Sequence, residues 1–278
     1  MKQLSPSDYP IDFYYHRTSS DTYRKYLESC GPKTFDINTP QFAWKKLFFS
    51  GTYCVSRFER TDVEPDIEAY KKEGIKHGMV TWIPYRITDK PEGWRQLYLT
   101  EHFQNTGYTT LDGDDYKKHW NERAKRAQKK FLASGDEIRS VNTSEFIDAF
   151  RKTKVKHSYK SEYISYYKRI SAIDPGAIRQ WIVYHNDIPT AGLAVLDYIG
   201  NHSVHLVAFT GKKAYDTQGG TGLIDEWFRT SQEKGIRYLT FDQLRNPHGP
   251  NDQKGYTEFK ENFIEHKLSF PKAYFKLF

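Results

Sequence analysis

The chain has 278 residues, of which 37% are hydrophobic, and it carries a formal net charge of +7. A chain of this length can bury one large core or two small ones, and no apolar run approaches the roughly 20 residues that span a bilayer. Cys30 and Cys54 are the only cysteines, which excludes a disulfide framework and favours a reducing, cytoplasmic compartment. The basic charge suits a phosphate-bearing partner.

The first 110 residues give few regular patterns. Tyrosines and a leucine at three- and four-residue spacing predict a short helix over Ser20–Ser29. Stretches rich in β-branched and aromatic residues predict three strands, which are Thr52–Phe58, Gly78–Ile87 and Gln96–Leu99. We therefore expect residues 1–110 to form a small α+β lobe.

The clearest helix is strongly basic. Apolar side chains recur every three or four residues from Tyr116 to Phe131, and Asp112 or Asp114 is placed to cap the N-terminus. This segment can bind RNA or a nucleotide phosphate, and the alternative is an ordinary solvated helix face. The candidate phosphate contacts are Lys117, Arg123, Arg126 and Lys130.

The rest of the chain has a regular order of elements. A strand over Glu137–Val141 and helices over Ser144–Arg151 and Ser161–Ile170 come first. The following elements are strands Ile178–Tyr184, Ile188–Asp197 and His202–Phe209, a glycine-bearing loop Gly211–Gly222 that leads into a helix stopped by Gly235, a strand Ile236–Phe241, a helix Thr257–Phe263 and a strand Leu268–Leu277. The order β-β-β-α-β-α-β predicts an α/β domain with a mixed sheet over residues 111–278.

This order, with a loop and helix directly after the third strand, resembles the C-terminal part of the GNAT fold of N-acyltransferases. Residues 217–222, Thr-Gln-Gly-Gly-Thr-Gly, are similar to the family's phosphate-binding loop [Q/R]-x-x-G-x-[G/A]. The departure is Thr217, which stands where the family has Gln or Arg. Free N–H groups and the helix dipole would hold phosphate at such a loop.

Two later segments are more specific for the FemAB branch of that family. Residues 233–242, which end in Asp242, are similar to its a-x-x-x-G-x-x-x-x-D passage. Residues 255–263, Gly-Tyr-Thr-Glu-Phe-Lys-Glu-Asn-Phe, are similar to its G-x-x-x-F-K-x-x-F segment. The resemblance covers about residues 114–278, including the basic helix. FemAB proteins usually carry two GNAT-like lobes, so residues 1–110 would be a divergent first lobe that contributes the acceptor pocket.

The resemblance implies an N-acyltransferase that moves an aminoacyl or acyl group onto a primary amine of a small molecule or peptide, such as a peptidoglycan precursor. The donor would be aminoacyl-tRNA, which the basic helix favours, or acyl-CoA, which the loop glycines Gly220 and Gly222 favour. Neither donor is a permanently bound cofactor, and no metal is required. The departure at Thr217 leaves a rival: a GNAT scaffold that binds RNA or a nucleotide without catalysis.

Three residues are candidates for catalysis. The resemblance implies that Lys260, in the Phe-Lys segment, stabilises the oxyanion of acyl transfer or holds phosphate. The alternative is an exposed lysine on an amphipathic helix. Asp242 ends a predicted buried strand and could orient an amine or accept a proton, or could cap a turn. His205 could act as a general base, or could be a hydrogen-bonded sheet histidine.

The donor-binding candidates come from the strand and loop that the resemblance identifies. Backbone N–H groups at Val207 and Phe209 would face the reacting carbonyl oxygen, and the loop would hold phosphate. The loop candidates are Gln218, Gly219, Gly220, Thr221 and Gly222.

The sequence contains no Walker A loop, dinucleotide fingerprint, GxSxG elbow or Cys/His metal cluster.

Overall fold

The computed structural model describes residues 1–5, 8, 20–29, 33–37, 39–48, 51–59, 62–72, 77–97, 105–113, 115–154, 157–198, 201–245 and 254–278. Contacts divide the chain into two compact units. Unit 1 comprises Met1, Gly107–Asp242 and Gly255–His266, and unit 2 comprises Lys2–Thr106, Gln243–Lys254 and Lys267–Phe278. The last twelve residues therefore group with unit 2, and a division into domains at residue 110 stays a prediction.

The helices and strands are numbered in chain order. The first part contains β1 (Lys2–Leu4), α1 (Asp21–Ser29), β2 (Lys33–Ile37), β3 (Thr39–Phe48), β4 (Gly51–Glu59), α2 (Ile67–Lys72), β5 (His77–Ile83) and β6 (Arg95–Gln96). The second part contains β7 (Asn105–Thr110), α3 (Glu122–Leu132), β8 (Glu137–Ser140), α4 (Thr143–Arg151), α5 (His157–Ile173), β9 (Ile178–His185), β10 (Ile188–Tyr198), β11 (His202–Thr210), α6 (Lys212–Thr217), α7 (Gly219–Glu233), β12 (Tyr238–Gln243), α8 (Lys254–Lys260), β13 (His266–Ser269) and β14 (Tyr274–Leu277).

Unit 2 contains a six-stranded sheet in the order β2-β3-β4-β5-β14-β6. The predicted strand over Gly78–Ile87 ends earlier, at Ile83. Its expected last residues leave the ladder because the backbone N–H groups of Tyr85, Arg86 and Ile87 all donate to Asp62 Oδ1. The predicted strand Gln96–Leu99 overlaps β6 only at its first residue, and Tyr98, Leu99 and Cys30 lie outside the described residues.

The prediction of one final strand over Leu268–Leu277 is wrong. The structure has two strands there, β13 and β14, separated by the segment 270–273. Pro271 lies in that segment and has no N–H to donate to a ladder. β14 instead pairs antiparallel with β5, from Tyr274 opposite Trp82 to Leu277 opposite Met79.

Unit 1 is built on a sheet in which β7, β12, β11, β10, β9 and β8 lie side by side in that order. β9, β10 and β11 form the predicted antiparallel meander. Asn186 and Asp187 have φ of 49° and 61°, the left-handed values that a tight two-residue hairpin turn requires. α4 packs against β9 and β10, and α7 packs against β8 to β11. The predicted mixed α/β sheet is confirmed.

The basic helix begins later than predicted. Its N-cap is Asn121, whose side-chain oxygen accepts the N–H of Ala124 at 2.9 Å, so capping by Asp112 is wrong; Asp114 lies outside the described residues. The preceding residues form turns because the Asp115 side chain accepts the N–H of Lys117 at 2.8 Å. Lys117 is therefore not part of the helix.

The predicted loop over Gly211–Gly222 is mostly helical. α6 ends at Thr217, Gln218 takes a left-handed conformation with φ of 65°, and α7 begins at Gly219. The loop glycines thus form the first turn of α7. Gly235, with φ of 71°, follows the end of that helix as predicted.

Candidate functional site

The site begins where β11 and β12 separate. The two strands are parallel and pair over three residues, from His202 opposite Tyr238 to Val204 opposite Thr240. Both strands continue beyond that point, β11 to Thr210 and β12 to Gln243. Because the register ends while the strands go on, a gap opens between them after Val204 and Thr240.

A β-bulge lies on β11 at the start of this gap. His205 is opposite Val195 and Val207 is opposite Ala194, so Leu206 is the extra residue. A bulge bends its strand and changes the direction of the backbone groups that follow. The predicted donor-binding residues Val207 and Phe209 lie in this part of β11, beyond the three-residue pairing with β12.

Lys260 is buried beside the gap. Its side chain is 1% exposed, so the alternative of a solvent-exposed lysine is wrong. The ammonium donates to the backbone carbonyl of Phe241 on β12 and lies 4.0 Å from the centroid of the Tyr256 ring. These contacts offset the cost of burying a cation, which is several kcal/mol or more when it is unpaired.

His205 lies on β11 at the same place. It is 3% exposed, and its Nδ1 is 3.1 Å from the hydroxyl oxygen of Tyr256. Burial, and then the positive charge of Lys260, lower the pKa of His205 to about 3, with Asp242 acting in the opposite direction. The imidazole is therefore neutral at neutral pH, and with its proton on Nδ1 it can donate a hydrogen bond to the Tyr256 hydroxyl oxygen.

Tyr256 is absent from the residues that the sequence predicts. The residue is 43% exposed, yet its hydroxyl oxygen lies 3.1 Å from Nδ1 of the buried His205. Burial of that hydroxyl and the negative charge of Asp242 raise the pKa of Tyr256 well above its usual value. Tyr256 lies four residues before Lys260 on α8, and residues with this spacing share a helix face. The spacing is the sequence feature from which Tyr256 could have been predicted.

Asp242 is the fourth member of a cluster that also contains His205, Tyr256 and Lys260. It lies near the end of β12 with φ of 55°, a left-handed conformation that is uncommon for any residue other than glycine. Its charge acts on both His205 and Tyr256. The structure therefore brings together all three predicted catalytic residues, Lys260, Asp242 and His205, and adds Tyr256.

The predicted phosphate-binding residues lie at the N-terminus of α7. Gly220 faces α8, because a Cβ built on it would lie 3.5 Å from the ring of Phe259. The N–H groups of Thr221 and Gly222 donate to the carbonyl of Gln218, at 2.9 and 3.2 Å. The backbone groups of Thr221 and Gly222 are thus occupied within the helix, whereas Gly219 and Gly220 precede them at its start.

The predicted phosphate contacts on the basic segment divide into two groups. The Lys117 ammonium is half-buried and lies 3.2 Å from Asp225 Oδ1 on α7. Arg123, Arg126 and Lys130 are exposed on α3.

Across the described ranges, no group of three or more His, Cys, Asp and Glu side chains is arranged to hold a metal ion. In the same ranges, no helix combines the length and apolarity needed to cross a bilayer.

Comparisons with known proteins give matches in structure alone. No family model matches the sequence, and no curated protein matches it. The crystal structure of FemX superposes with a TM-score of 0.71 at 11% identity, covering 98% of this chain and 94% of that chain. The chain has a GNAT-like fold of the FemX type.

Two further structures match over most of the chain. One is the C-terminal domain of a putative lysylphosphatidylglycerol synthetase from Agrobacterium fabrum, with a TM-score of 0.58 at 10% identity, covering 93% of this chain and 87% of that one. The other is L-PGS from Bacillus licheniformis, with a TM-score of 0.57 at 12% identity, covering 90% and 85%. The matched share of the chain thus exceeds residues 114–278, which the sequence resemblance covers.

Proposed function

We propose that the chain is an N-acyltransferase that moves an aminoacyl or acyl group from a phosphate-bearing donor to a primary amine. The observation that carries this proposal is the gap between β11 and β12, which opens beside the buried His205 and Lys260 and their neighbours Asp242 and Tyr256. The fold of FemX and the lysylphosphatidylglycerol synthetases supports it, since the latter name denotes attachment of a lysyl group.

The reaction is a direct transfer. The neutral amine attacks the carbonyl carbon of the donor, a C–N bond forms and the carbonyl becomes an oxyanion. The N–H groups of β11 in the segment that includes Val207 and Phe209, together with the charge of Lys260, would stabilise that oxyanion. When the intermediate collapses, the bond to the donor oxygen or sulfur breaks. The proton that the amine loses ends on that leaving atom.

Three side chains have separate roles in this scheme. Asp242 is a carboxylate next to the gap and can accept the proton of the attacking amine and return it to the leaving atom. The Tyr256 hydroxyl keeps its proton, because its pKa is raised, and can donate a hydrogen bond to the leaving atom. His205, whose conjugate acid has a pKa of about 3, is a poor proton store, so its role is to hold the Tyr256 hydroxyl in place through Nδ1.

The experiment is a transfer assay with two donors and a set of amines. Purified protein is incubated with radiolabelled aminoacyl-tRNA or acetyl-CoA and with free amino acids, polyamines or lysine-containing peptides. We expect labelled amide with one of the donors. Replacing Lys260 by Met, which keeps the length of the side chain but removes its charge and donors, should lower turnover about tenfold or more.

A matched control separates this effect from a general loss of charge. Lys168 is exposed on α5, and Lys168→Met should leave turnover within twofold of the parent protein. Equal turnover in Lys260→Met and the parent protein would remove Lys260 from the mechanism. A protein that binds RNA or nucleotide but forms no amide with any donor would be the non-catalytic module, and the proposed function would be wrong.

A further inference from the structure

The indole of Trp227 lies where β11 and β12 separate. The structure describes both strands in full, and their backbone pairing stops at Val204 and Thr240. Trp227 is fully buried on α7. Its ring centroid is 6.2 Å from that of His205 on β11 and 5.2 Å from that of Phe241 on β12. One side chain of α7 therefore contacts the first residue beyond the pairing on each strand.

The three rings contact one another in a fixed arrangement. The Trp227 indole meets the His205 imidazole at 66° and the Phe241 ring at 68°. The imidazole and the Phe241 ring are nearly parallel, at 23°, with centroids 6.3 Å apart. Such ring pairs favour centroid separations of about 4.5–7 Å. Because protein interiors are close-packed, the size of the indole limits how closely the two strand ends can approach.

The indole is anchored in the paired part of the sheet. Trp227 Nε1 donates to Ser203 Oγ at 2.9 Å. Ser203 is fully buried and lies opposite Leu239 in the pairing of β11 with β12. The ring thus extends from the region where the strands are hydrogen-bonded to the region where they are not. Since a buried indole N–H needs a partner, this bond fixes the rotation and the depth of the ring.

The guanidinium of Arg179 ties Ser203 to α7. Its Nη2 is 3.4 Å from Ser203 Oγ and 2.7 Å from Ser231 Oγ, and its Nη1 donates to Thr230 Oγ1 at 2.7 Å. It also makes two hydrogen bonds, of 2.8 and 2.9 Å, to the carboxylate of Asp197. A planar guanidinium with five donors suits such a fixed set of oxygens, whereas an ammonium does not. β9, β10, β11 and α7 are therefore held together at one point.

Both residues that the indole contacts at the gap hold a member of the cluster. His205 Nδ1 is 3.1 Å from the Tyr256 hydroxyl oxygen, and the Phe241 carbonyl accepts a hydrogen bond from the Lys260 ammonium. Trp227 itself is 0% exposed, so it does not touch a substrate. Its effect on a reaction at the gap is exerted through the positions of His205 and Phe241.

We propose that Trp227 is a positioning residue that sets the width of the gap between β11 and β12, and that Ser203 and Arg179 fix its place. The donor carbonyl then fits between the strands only at the separation that the indole imposes. The inference rests on the proposed function for the reaction that the gap serves, whereas the spacing itself stands on the contacts of these three side chains.

The test replaces the indole by a smaller ring and compares the result with a matched tryptophan. Trp120 is also buried, at 2% exposure, and packs edge-on against Phe228 and Phe263 with centroids 5.5 and 5.0 Å away. Trp227→Phe and Trp120→Phe remove the same atoms from the core of unit 1, and both should lower the midpoint of thermal unfolding. Only Trp227→Phe changes the spacing of β11 and β12.

Steady-state kinetics with the active donor and amine are the first measurement. We expect Trp227→Phe to lower kcat about tenfold or more, since a misplacement of about 1 Å at reacting groups can cost 100-fold. Trp120→Phe should keep kcat within about twofold, because the groups at the gap stay in place. A purely structural role would lower kcat equally in the two variants.

The pKa of His205 is the second measurement and does not depend on activity. It is followed by NMR of the imidazole protons as pH is lowered, with His205→Gln to assign the signals. The pKa is about 3 in the parent protein, where burial and the charge of Lys260 lower it and Asp242 opposes them. In Trp227→Phe the space beside the imidazole and the Ser203 hydroxyl is polar enough for a water molecule. The pKa should therefore rise by about one unit or more as burial lessens, and it should stay unchanged in Trp120→Phe.

A serine pair tests the anchor and decides the case in which Trp227→Phe does not fold. Ser203→Ala keeps the indole but removes the acceptor of its N–H, and it should lower kcat about threefold or more and raise the pKa of His205. The control is Ser231→Ala, which removes another serine acceptor of Arg179 and leaves the bond between Ser203 and Trp227 intact. Neither kcat nor the pKa of His205 should change in this control.

Failure of this inference and failure of the proposed function give different results. Equal kcat and equal His205 pKa values within the tryptophan pair, or within the serine pair, would overturn the role of Trp227. If the parent protein forms no amide with any donor but the pKa rises only in Trp227→Phe and Ser203→Ala, the spacing role is correct and the enzyme assignment is wrong. If the parent transfers an acyl group and Trp227→Phe matches it in kcat and pKa, the function is correct and the spacing role is wrong.

Discussion

Tyr256 contacts both of the buried residues of the cluster, His205 and Lys260. Its hydroxyl contacts His205 at 3.1 Å, and its ring covers the ammonium of Lys260 at 4.0 Å. One side chain thus makes two separable contacts, a hydrogen bond through the hydroxyl and a cation–π contact through the ring. The substitution Tyr256→Phe removes the first contact and keeps the second.

We expect Tyr256→Phe to lower kcat by about 100-fold, the lower end of what loss of a hydrogen-bond donor to a developing charge costs. KM for the donor should change by about twofold or less, because the ring and Lys260 stay in place. Steady-state kinetics with the active donor measure both values. Tyr215→Phe is the control: this tyrosine is 68% exposed on α6, and its substitution should leave kcat unchanged. A normal kcat in Tyr256→Phe would show that the hydroxyl takes no part.

The sequence predicts part of this cluster and misses the rest for identifiable reasons. Lys260 and Asp242 are found because they lie in segments with a recognisable pattern, and His205 because it lies on the strand that precedes the glycine-bearing loop. The burial of Lys260 is not visible in the sequence, since it depends on the Phe241 carbonyl of another element. Tyr256 is missed because its signal, the four-residue spacing to Lys260, distinguishes it only once Lys260 is known to be buried.

At the level of elements, the contact between α3 and α7 depends on one glycine. A Cβ on Gly222 would lie 2.4 to 2.6 Å from three ring atoms of Phe131, which is far inside van der Waals contact. By contrast, a Cβ on Gly220 would lie 3.5 Å from Phe259, an ordinary contact distance. Two glycines in the same helical turn therefore have different reasons to be there.

We expect Gly222→Ala to lower the free energy of unfolding by about 1–3 kcal/mol, the usual cost of overpacking a core. Gly220→Ala should be neutral or raise it by up to about 1 kcal/mol, because alanine is the better helix former. Urea denaturation of both variants measures the difference. If the two variants had equal stability, α3 and α7 would not be held at the distance that the structure gives.

The elements that the sequence predicts best are those with a strict local pattern. The meander of β9, β10 and β11 is predicted nearly to its bounds, since apolar strands alternate with short polar turns. The start of α7 is missed because clustered glycines usually indicate a loop, whereas here close packing against Phe131 favours glycine within a helix. The break between β13 and β14 is missed because the two strands belong to different sheets, and pairing partners distant in sequence decide that.

At the scale of the whole molecule, the buried imidazole of His205 makes stability depend on pH. Its pKa is about 3 in the folded protein, against an ordinary value of 6.5 that applies in the unfolded chain. Between these two values the unfolded chain binds a proton at this histidine and the folded protein does not. Stability therefore falls as pH is lowered through this range, because protons favour the state that binds them.

The expected loss from His205 is up to roughly 4 kcal/mol between pH 6.5 and pH 3, at about 1.4 kcal/mol for each unit by which the two pKa values differ. Carboxylates that are paired in the folded state add their own losses at low pH. The substitution His205→Gln, which keeps a neutral polar group there, isolates the histidine because the carboxylates are unchanged. Urea denaturation of both proteins at several pH values should give curves that converge as pH falls. Parallel curves would mean that His205 can be protonated in the folded protein, and that the site does not hold a neutral imidazole.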